Sequence, residues 1–194
     1  MNDIIKNVYE SALILERCGT ANFFGISLSC LVREESVLYA KPIGVDNEGE
    51  AMKNVFPFSC ERSLPYDISI HAEIYKKFPE VKAVIFFSSA LCSEFAKRGL
   101  NLPLTTKYSR DYFNHAAYVG CAKCENWEDF LSAVEKISSD RNAVSSAMLV
   151  SATLTYAEKF DAVLWGAELR EVVEKAVTLE RAARIAYPIL KFQK

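Results

Sequence analysis

The spacing of apolar and polar positions divides the chain into helical and extended stretches. Over residues 3–17, Ile4, Ile5, Val8, Tyr9, Ala12, Leu13 and Leu15 recur at helical spacing, and Gly19 follows as a C-terminal stop. Residues 23–32 and 36–42 are rich in β-formers. They are joined by the charged run Arg33-Glu34-Glu35-Ser36, which predicts a hairpin. Residues 44–50 read as loop. Residues 67–78 predict a helix with Ile70, Ile74 and Phe78 inward, ended by Pro79. A buried strand is expected over 81–87, a short helix over 90–98 stopped by Gly99, and further strands over 102–106 and 116–120. An amphipathic helix over 127–137 carries Phe130, Leu131, Val134 and Ile137, and 138–142 read as loop. Residues 148–165 fit either two strands or a helix end with a hairpin, and periodicity leaves both open. Residues 169–190 form a long helical pattern through Val172, Val173, Ala176, Leu179, Ala183 and Ile185. Helices and strands interleave without regular βαβ spacing. The expected fold is therefore α/β (α+β), with a central, mostly antiparallel sheet flanked by helices on both faces. No repeat or linker interrupts it, so 1–194 is read as a single domain.

Composition narrows the function classes. The net charge is −2 and no basic run or stripe occurs, which argues against nucleic acid as a partner. No apolar run approaches the ~20 residues of a bilayer span, and the N-terminus has none of the features of a signal peptide. The six cysteines, at 18, 30, 60, 92, 121 and 124, sit in mainly apolar surroundings, as free thiols of a reduced cytoplasm do. An apolar fraction of 51% fits a subunit that buries more surface on assembly. The expectation is a cytoplasmic globular protein without a membrane partner.

The stretch from Ile70 to Ile85, Ile-His-Ala-Glu-Ile-Tyr-Lys-Lys-Phe-Pro-Glu-Val-Lys-Ala-Val-Ile, resembles the class II aldolase/adducin head family. So does the C-terminal run from Ala162, Ala-Val-Leu-Trp-Gly-Ala-Glu-Leu-Arg, with the long helix that follows. The resemblance extends in element order over nearly the whole chain. It implies the family's fold, a sugar-phosphate lyase or epimerase ancestry, a zinc ion held by three histidines, and a four-fold homotetramer. Two of those histidines end the strand after the matching helix, and Phe86 and Ser88 stand in their places. Counting back from the last helix puts the third near Phe160. The chain holds only His71 and His115, so one subunit cannot supply three histidines. Phenylalanine has no lone pair and a neutral serine is a poor zinc ligand, so no metal site and no cofactor are expected. The family's phosphate-binding turn corresponds to Phe24-Gly25-Ile26-Ser27, lacking its Asn. Its Thr-Gly corresponds to Ile43-Gly44, and its Ser-Ser-Glu to Pro65-Tyr66-Asp67.

The candidate site residues follow from this register. Asp67 takes the place of the catalytic acid/base glutamate, though an aspartate at a helix start also serves as an N-cap, and the cap is the favoured reading. His71 lies one turn later, where i,i+4 contact with Asp67 is natural and a packing role is favoured. Gly25, Ser27, Gly44, Ser88 and Ser89 are candidate ligand-binding positions, with Ser88 and Ser89 equally suited to a turn or helix cap. Tyr108 falls near a family tyrosine that donates a proton across a subunit boundary, and Lys107 beside it could meet an anion. A solvated loop explains the pair equally well. No lysine occupies an obvious apolar slot, which gives a Schiff-base aldolase no support. A rival pattern, His71-Ala72-Glu73 with Cys121-Ala122-Lys123-Cys124, outlines a zinc nucleobase deaminase. It has Gly120 where proline is expected, and an over-wide gap. Two functional readings result: a zinc-less, non-catalytic or divergent homologue binding a small carbonyl or sugar-like molecule, or a rearranged lyase or epimerase acting on a sugar phosphate.

Overall fold

A computed structural model describes residues 3–21, 25–42, 55–59, 64–152 and 160–192. Among these are six α-helices and eight strands. They divide into two compact units, Met1–Phe87 with Trp165–Glu174, and Ser88–Leu164 with Lys175–Lys194.

In the first unit, α1 (Asp3–Arg17) buries Val8, Ala12 and Leu15 of the predicted stripe together with Ser11, leaves Ile4, Ile5, Tyr9 and Leu13 half-buried, and packs on β1 (Ile26–Val32) and β2 (Val37–Lys41). Gly19 ends the helix at φ 67°. The amides of Gly19 and Thr20 reach back to the carbonyls of Glu16 and Leu15, a left-handed closure that costs glycine nothing. The predicted β1–β2 hairpin is present, paired from Leu28↔Lys41 to Val32↔Val37. Its turn is one 3₁₀ turn over Arg33–Glu35, closed by Ser36 at φ 52°. Strand β3 (Phe56–Ser59), not foreseen from the sequence, pairs antiparallel with β2. Helix α2 (Tyr66–Lys77) covers one side of β1 and stops at Phe78, which takes an extended conformation before Pro79 and is half-buried rather than inward. Strand β4 (Ala83–Phe87) is buried along its whole length and pairs antiparallel with β1. The strand order here is β3-β2-β1-β4, with the end of β8 (Ala162–Gly166) beside β4, where the Lys82 amide donates to Gly166 O at 2.8 Å. Gly166 leaves no room for a side chain, since a Cβ there would lie 2.9 Å from Val172.

In the second unit the order is β8-β7-β6-β5. Strand β6 (Tyr118–Cys124), helix α5 (Trp127–Ser139) and strand β7 (Ala143–Ala152) form a parallel βαβ crossover, while β7–β8 and β5–β6 are antiparallel. The sheet is thus mixed and mostly antiparallel. The two-strand alternative for 148–165 is the one found, with β7 starting earlier than expected. Helix α3 (Ala90–Lys97) packs on β7 and is followed by Gly99 at φ 64°. The strand expected over 102–106 shrinks to β5 (Leu102–Pro103), because Thr106 caps a helix instead. Its Oγ1 accepts from the Ser109 amide at 3.1 Å and starts α4 (Lys107–Tyr112). Helix α6 (Leu169–Phe192) follows β8 and buries Val172, Val173, Ala176, Leu179 and Ala183 of the predicted stripe, whereas Ile185, expected on it, is exposed.

Candidate functional site

Strand alternation puts Ser27 and Ser29 of β1 on one face, and helical spacing puts Asp67, His71 and Tyr75 of α2 on one stripe against it. The result is a continuous polar line inside the first unit. Ser27 Oγ donates to Asp67 Oδ2 at 2.8 Å. Having spent its proton there, it receives the Nε2–H of His71 at 3.2 Å. His71 Nδ1 then carries the lone pair that accepts from Ser29 Oγ at 2.7 Å. The Tyr75 hydroxyl lies 2.8 Å from Ser29 Oγ and 3.0 Å from the Ser29 carbonyl. The Ser29, His71 and Ser27 protons run in order towards Asp67, while the Tyr75 hydroxyl donates to the Ser29 carbonyl. Ser27, Ser29 and His71 are wholly buried, and burial lowers the imidazole to about 3, so the ring is neutral. Burial also raises Tyr75 well above the usual phenol range, with the Ser29 hydrogen bond opposing it. Unbonded, these groups would be expensive to bury; connected, they fix the tautomer of His71 and aim the Ser27 hydroxyl at one carboxylate oxygen.

Beside this line lies a residue the sequence reading passed over. Lys41, at the end of β2, is wholly buried, contrary to the expectation that no lysine occupies an apolar slot. Its Nζ donates to Ile26 O at 2.9 Å and to Pro42 O at 3.2 Å. Burial lowers its pKa to about 8, while the charges of Asp67 and Glu16 pull it back up. The signal was a lone charge closing the apolar strand Val37-Leu38-Tyr39-Ala40. Ser29 was also legible, as the second serine of Ile26-Ser27-Leu28-Ser29.

The second unit holds a separate acid cluster. Ser89 is the N-cap of α3, accepting from the amides of Leu91 and Cys92, and its hydroxyl donates to Glu180. Glu180 is buried on α6, and burial raises its pKa against the Ser89 hydrogen bond and the Arg184 charge. The Cys92 thiol, 3.8 Å from Glu180, is pushed far up by burial. Ser88 and Ser93 hydrogen-bond the carboxylate of Asp161, whose pKa burial also raises. Both strand-end serines are thus committed to carboxylates. Glu180 was the one of these acids with a sequence signal, falling four residues after Ala176 on the buried stripe.

The structure therefore brings Ser27, Asp67 and His71 together and gives Ser88 and Ser89 other partners. Gly25 leads directly into β1. Phe24, Ile43 and Gly44, with the 44–50 loop, lie outside the described residues. Asp67 is not the cap of α2. That position is Pro65, which makes no side-chain cap, and Asp67 sits one place inside the first turn, where its carboxylate receives Ser27 instead. Its link to His71 runs through Ser27. Tyr108 is on a helix, not a loop; it is 60% exposed and stacks on Tyr112 at 6.2 Å. The deaminase reading fails on geometry. Cys121 and Cys124 lie three apart in an extended strand and so face opposite sides, both imidazole nitrogens of His71 are engaged by serines, and exposed Glu73 pairs with Lys76 at 2.6 Å.

The sequence profile of the class II aldolase and adducin N-terminal domain matches residues 7–187, and the chain belongs to that family. Solved structures share the fold. An L-fuculose-1-phosphate aldolase from Thermus thermophilus superposes with a TM-score of 0.75 at 14% identity, covering 100% of both chains. A second L-fuculose 1-phosphate aldolase gives 0.73 at 15%, over 100% of this chain and 89% of its own. A sugar-phosphate aldolase from Thermotoga maritima gives 0.65 at 18%, over 100% and 97%.

The zinc implied by the family can be tested against the donors present. Phe86 is wholly buried, and its ring packs on that of His71 with centroids 4.1 Å apart. Ser88 offers a neutral hydroxyl bonded to Asp161, and Phe160 is a buried aromatic. Among the described residues, no group of three or more His, Cys, Asp or Glu side chains is gathered to hold a metal ion. At the positions the resemblance gives, two phenylalanines and one neutral hydroxyl do not fit a three-histidine zinc.

Proposed function

We propose that this chain is a zinc-independent member of the class II aldolase/adducin family that binds a small, neutral or weakly anionic carbonyl or sugar-like molecule. Asp67, oriented by Ser27, is the polar anchor of that site. The observation that supports this most is Phe86. At a position where the family resemblance implies an imidazole ligand, an aromatic ring is packed into the core against His71. Retro-aldol chemistry on a sugar phosphate relies on a Lewis acid worth several kcal/mol, and nothing at Phe86, Ser88 or Phe160 replaces it. The chain is further proposed to work in the cytoplasm as the homotetramer the resemblance implies. No helix among the described residues is long and apolar enough to cross a membrane.

A thermal-shift panel tests the binding function. Ligand at a hundredfold excess over Kd stabilises a fold by about 2.7 kcal/mol. Neutral short-chain sugars and small carbonyl compounds should raise Tm, and Asp67→Ala should abolish the rise. A shift produced by sugar phosphates alone, with zinc-dependent cleavage, would replace this function with the family's own. One observation favours a second reading, a rearranged lyase or epimerase. The buried line from Tyr75 to Ser27 ends on Asp67, the position of the family's acid/base residue.

A further inference from the structure

We propose that the cleft between α2 and the β1–β2 hairpin is a second ligand site, taking a small carboxylate with an apolar body, its head on Arg33. The cleft lies inside the first unit and Asp67 does not line it, so it neither needs nor replaces the binding function above.

The cleft continues the sheet face that carries the polar line. Strand alternation puts Leu31 on the same side of β1 as Ser27 and Ser29, and the ladder sets Leu38 of β2 directly opposite it. Ala72 and Tyr75 of α2 line the other wall. Between them the packing opens into a cavity of about 400 Å³, within the range of small-molecule sites. Leu31, Leu38 and Tyr75 are buried, which makes the floor apolar. The Tyr75 ring is fixed through its hydroxyl, 2.8 Å from Ser29 Oγ and 3.0 Å from the Ser29 carbonyl, so this wall is preformed.

Arg33 supplies the head-group contact. Its Nη2 donates to the carbonyls of Tyr75, Phe78 and Val81 at 3.2, 3.4 and 3.1 Å, which clamps the guanidinium across the end of α2. Carbonyls carry no net charge, and among the described residues no carboxylate pairs with Arg33. Its neighbour Glu35 instead accepts from the Tyr39 hydroxyl at 3.1 Å. The Nη1 and Nε donors of Arg33 are left for a ligand. The other charges lining the cleft, Glu73 and Lys76, cancel in an ion pair at 2.6 Å. A single positive charge thus stands over an apolar floor. That combination selects an anion with an apolar tail over a neutral sugar, an amine or a bare ion.

The test uses the full chain with isotope-labelled leucine and alanine methyls, titrated with hexanoate, hexanol and acetate while its methyl NMR spectrum is followed. Hexanoate should move the methyls of Leu31, Leu38 and Ala72 saturably. Hexanol, which lacks the charge, should bind about fivefold or more weakly, and acetate, which lacks the tail, about tenfold or more weakly. Arg33→Gln should remove the advantage of hexanoate over hexanol. Ala72→Phe, which fills the cleft and leaves Arg33 in place, should abolish binding with the rest of the methyl spectrum unchanged. Asp67→Ala should leave hexanoate binding intact, so failure here and failure of the binding function above are told apart. If Arg33→Gln does not fold, the hexanoate–hexanol comparison on the wild type decides the head-group contact alone. No saturable shift at these methyls, equal binding of hexanol, shifts that survive Ala72→Phe, or loss of binding in Asp67→Ala would overturn the proposal.

Discussion

Between pH 7 and pH 5, the buried imidazole of His71 should cost the fold about 2 kcal/mol of stability. The ring titrates near 3 in the folded chain because it is wholly buried, against the ordinary 6.5 when exposed. A lowered histidine value means that the unfolded chain binds the proton and the native one does not. Stability is therefore highest above the unfolded value and falls as the pH drops from about 6.5 towards 3. At about 1.36 kcal/mol per unit, the loss is about 0.8 kcal/mol at pH 6 and about 2 kcal/mol at pH 5, where the native ring is still neutral. The assay is urea unfolding at pH 7, 6 and 5 for the wild type and for His71→Gln, which keeps a donor and an acceptor but cannot titrate. Carboxylates common to both proteins cancel in the difference. The gap between the two stabilities should shift by about 2 kcal/mol in favour of the glutamine variant from pH 7 to pH 5. Parallel pH dependences would refute the argument, because they would mean that His71 is free to take up a proton in the native state.

Two further outcomes follow. Phe86→Ala should destabilise the chain by about 3–5 kcal/mol in the same assay, because it removes a wholly buried ring, whereas a mobile pocket residue would cost far less. Light scattering at micromolar concentration should give a tetramer mass; a monomer would contradict the proposed assembly.

The long elements were legible because each satisfies a period over several turns. The stripes of α1 and α6 need no tertiary information, and glycines at 19 and 99 mark the stops. Helix α4 was missed because it has only six residues and is set by the Thr106–Ser109 capping hydrogen bond. Strand β3 is only four residues long, too short for a period to show. In the site, family-like spacing found Asp67, His71 and Ser27, but not what they do to one another. That depends on β1 lying under α2, a register no local pattern specifies, and so the part Ser29 and Tyr75 play was not read from the sequence. Lys41 was missed because a terminal strand lysine is normally solvated, and its burial comes from packing distant in sequence. Asp67 read as a cap because the helix begins one residue earlier than its charge suggests.

Elemental analysis of the chain, purified after expression with zinc in the medium, tests the central claim most directly. With Phe86 in the core, Ser88 bonded to Asp161 and His71 held by two serines, zinc should be far below one equivalent per chain. A single tightly held zinc per chain, with an anomalous signal within coordination distance of Ser88, would contradict the account.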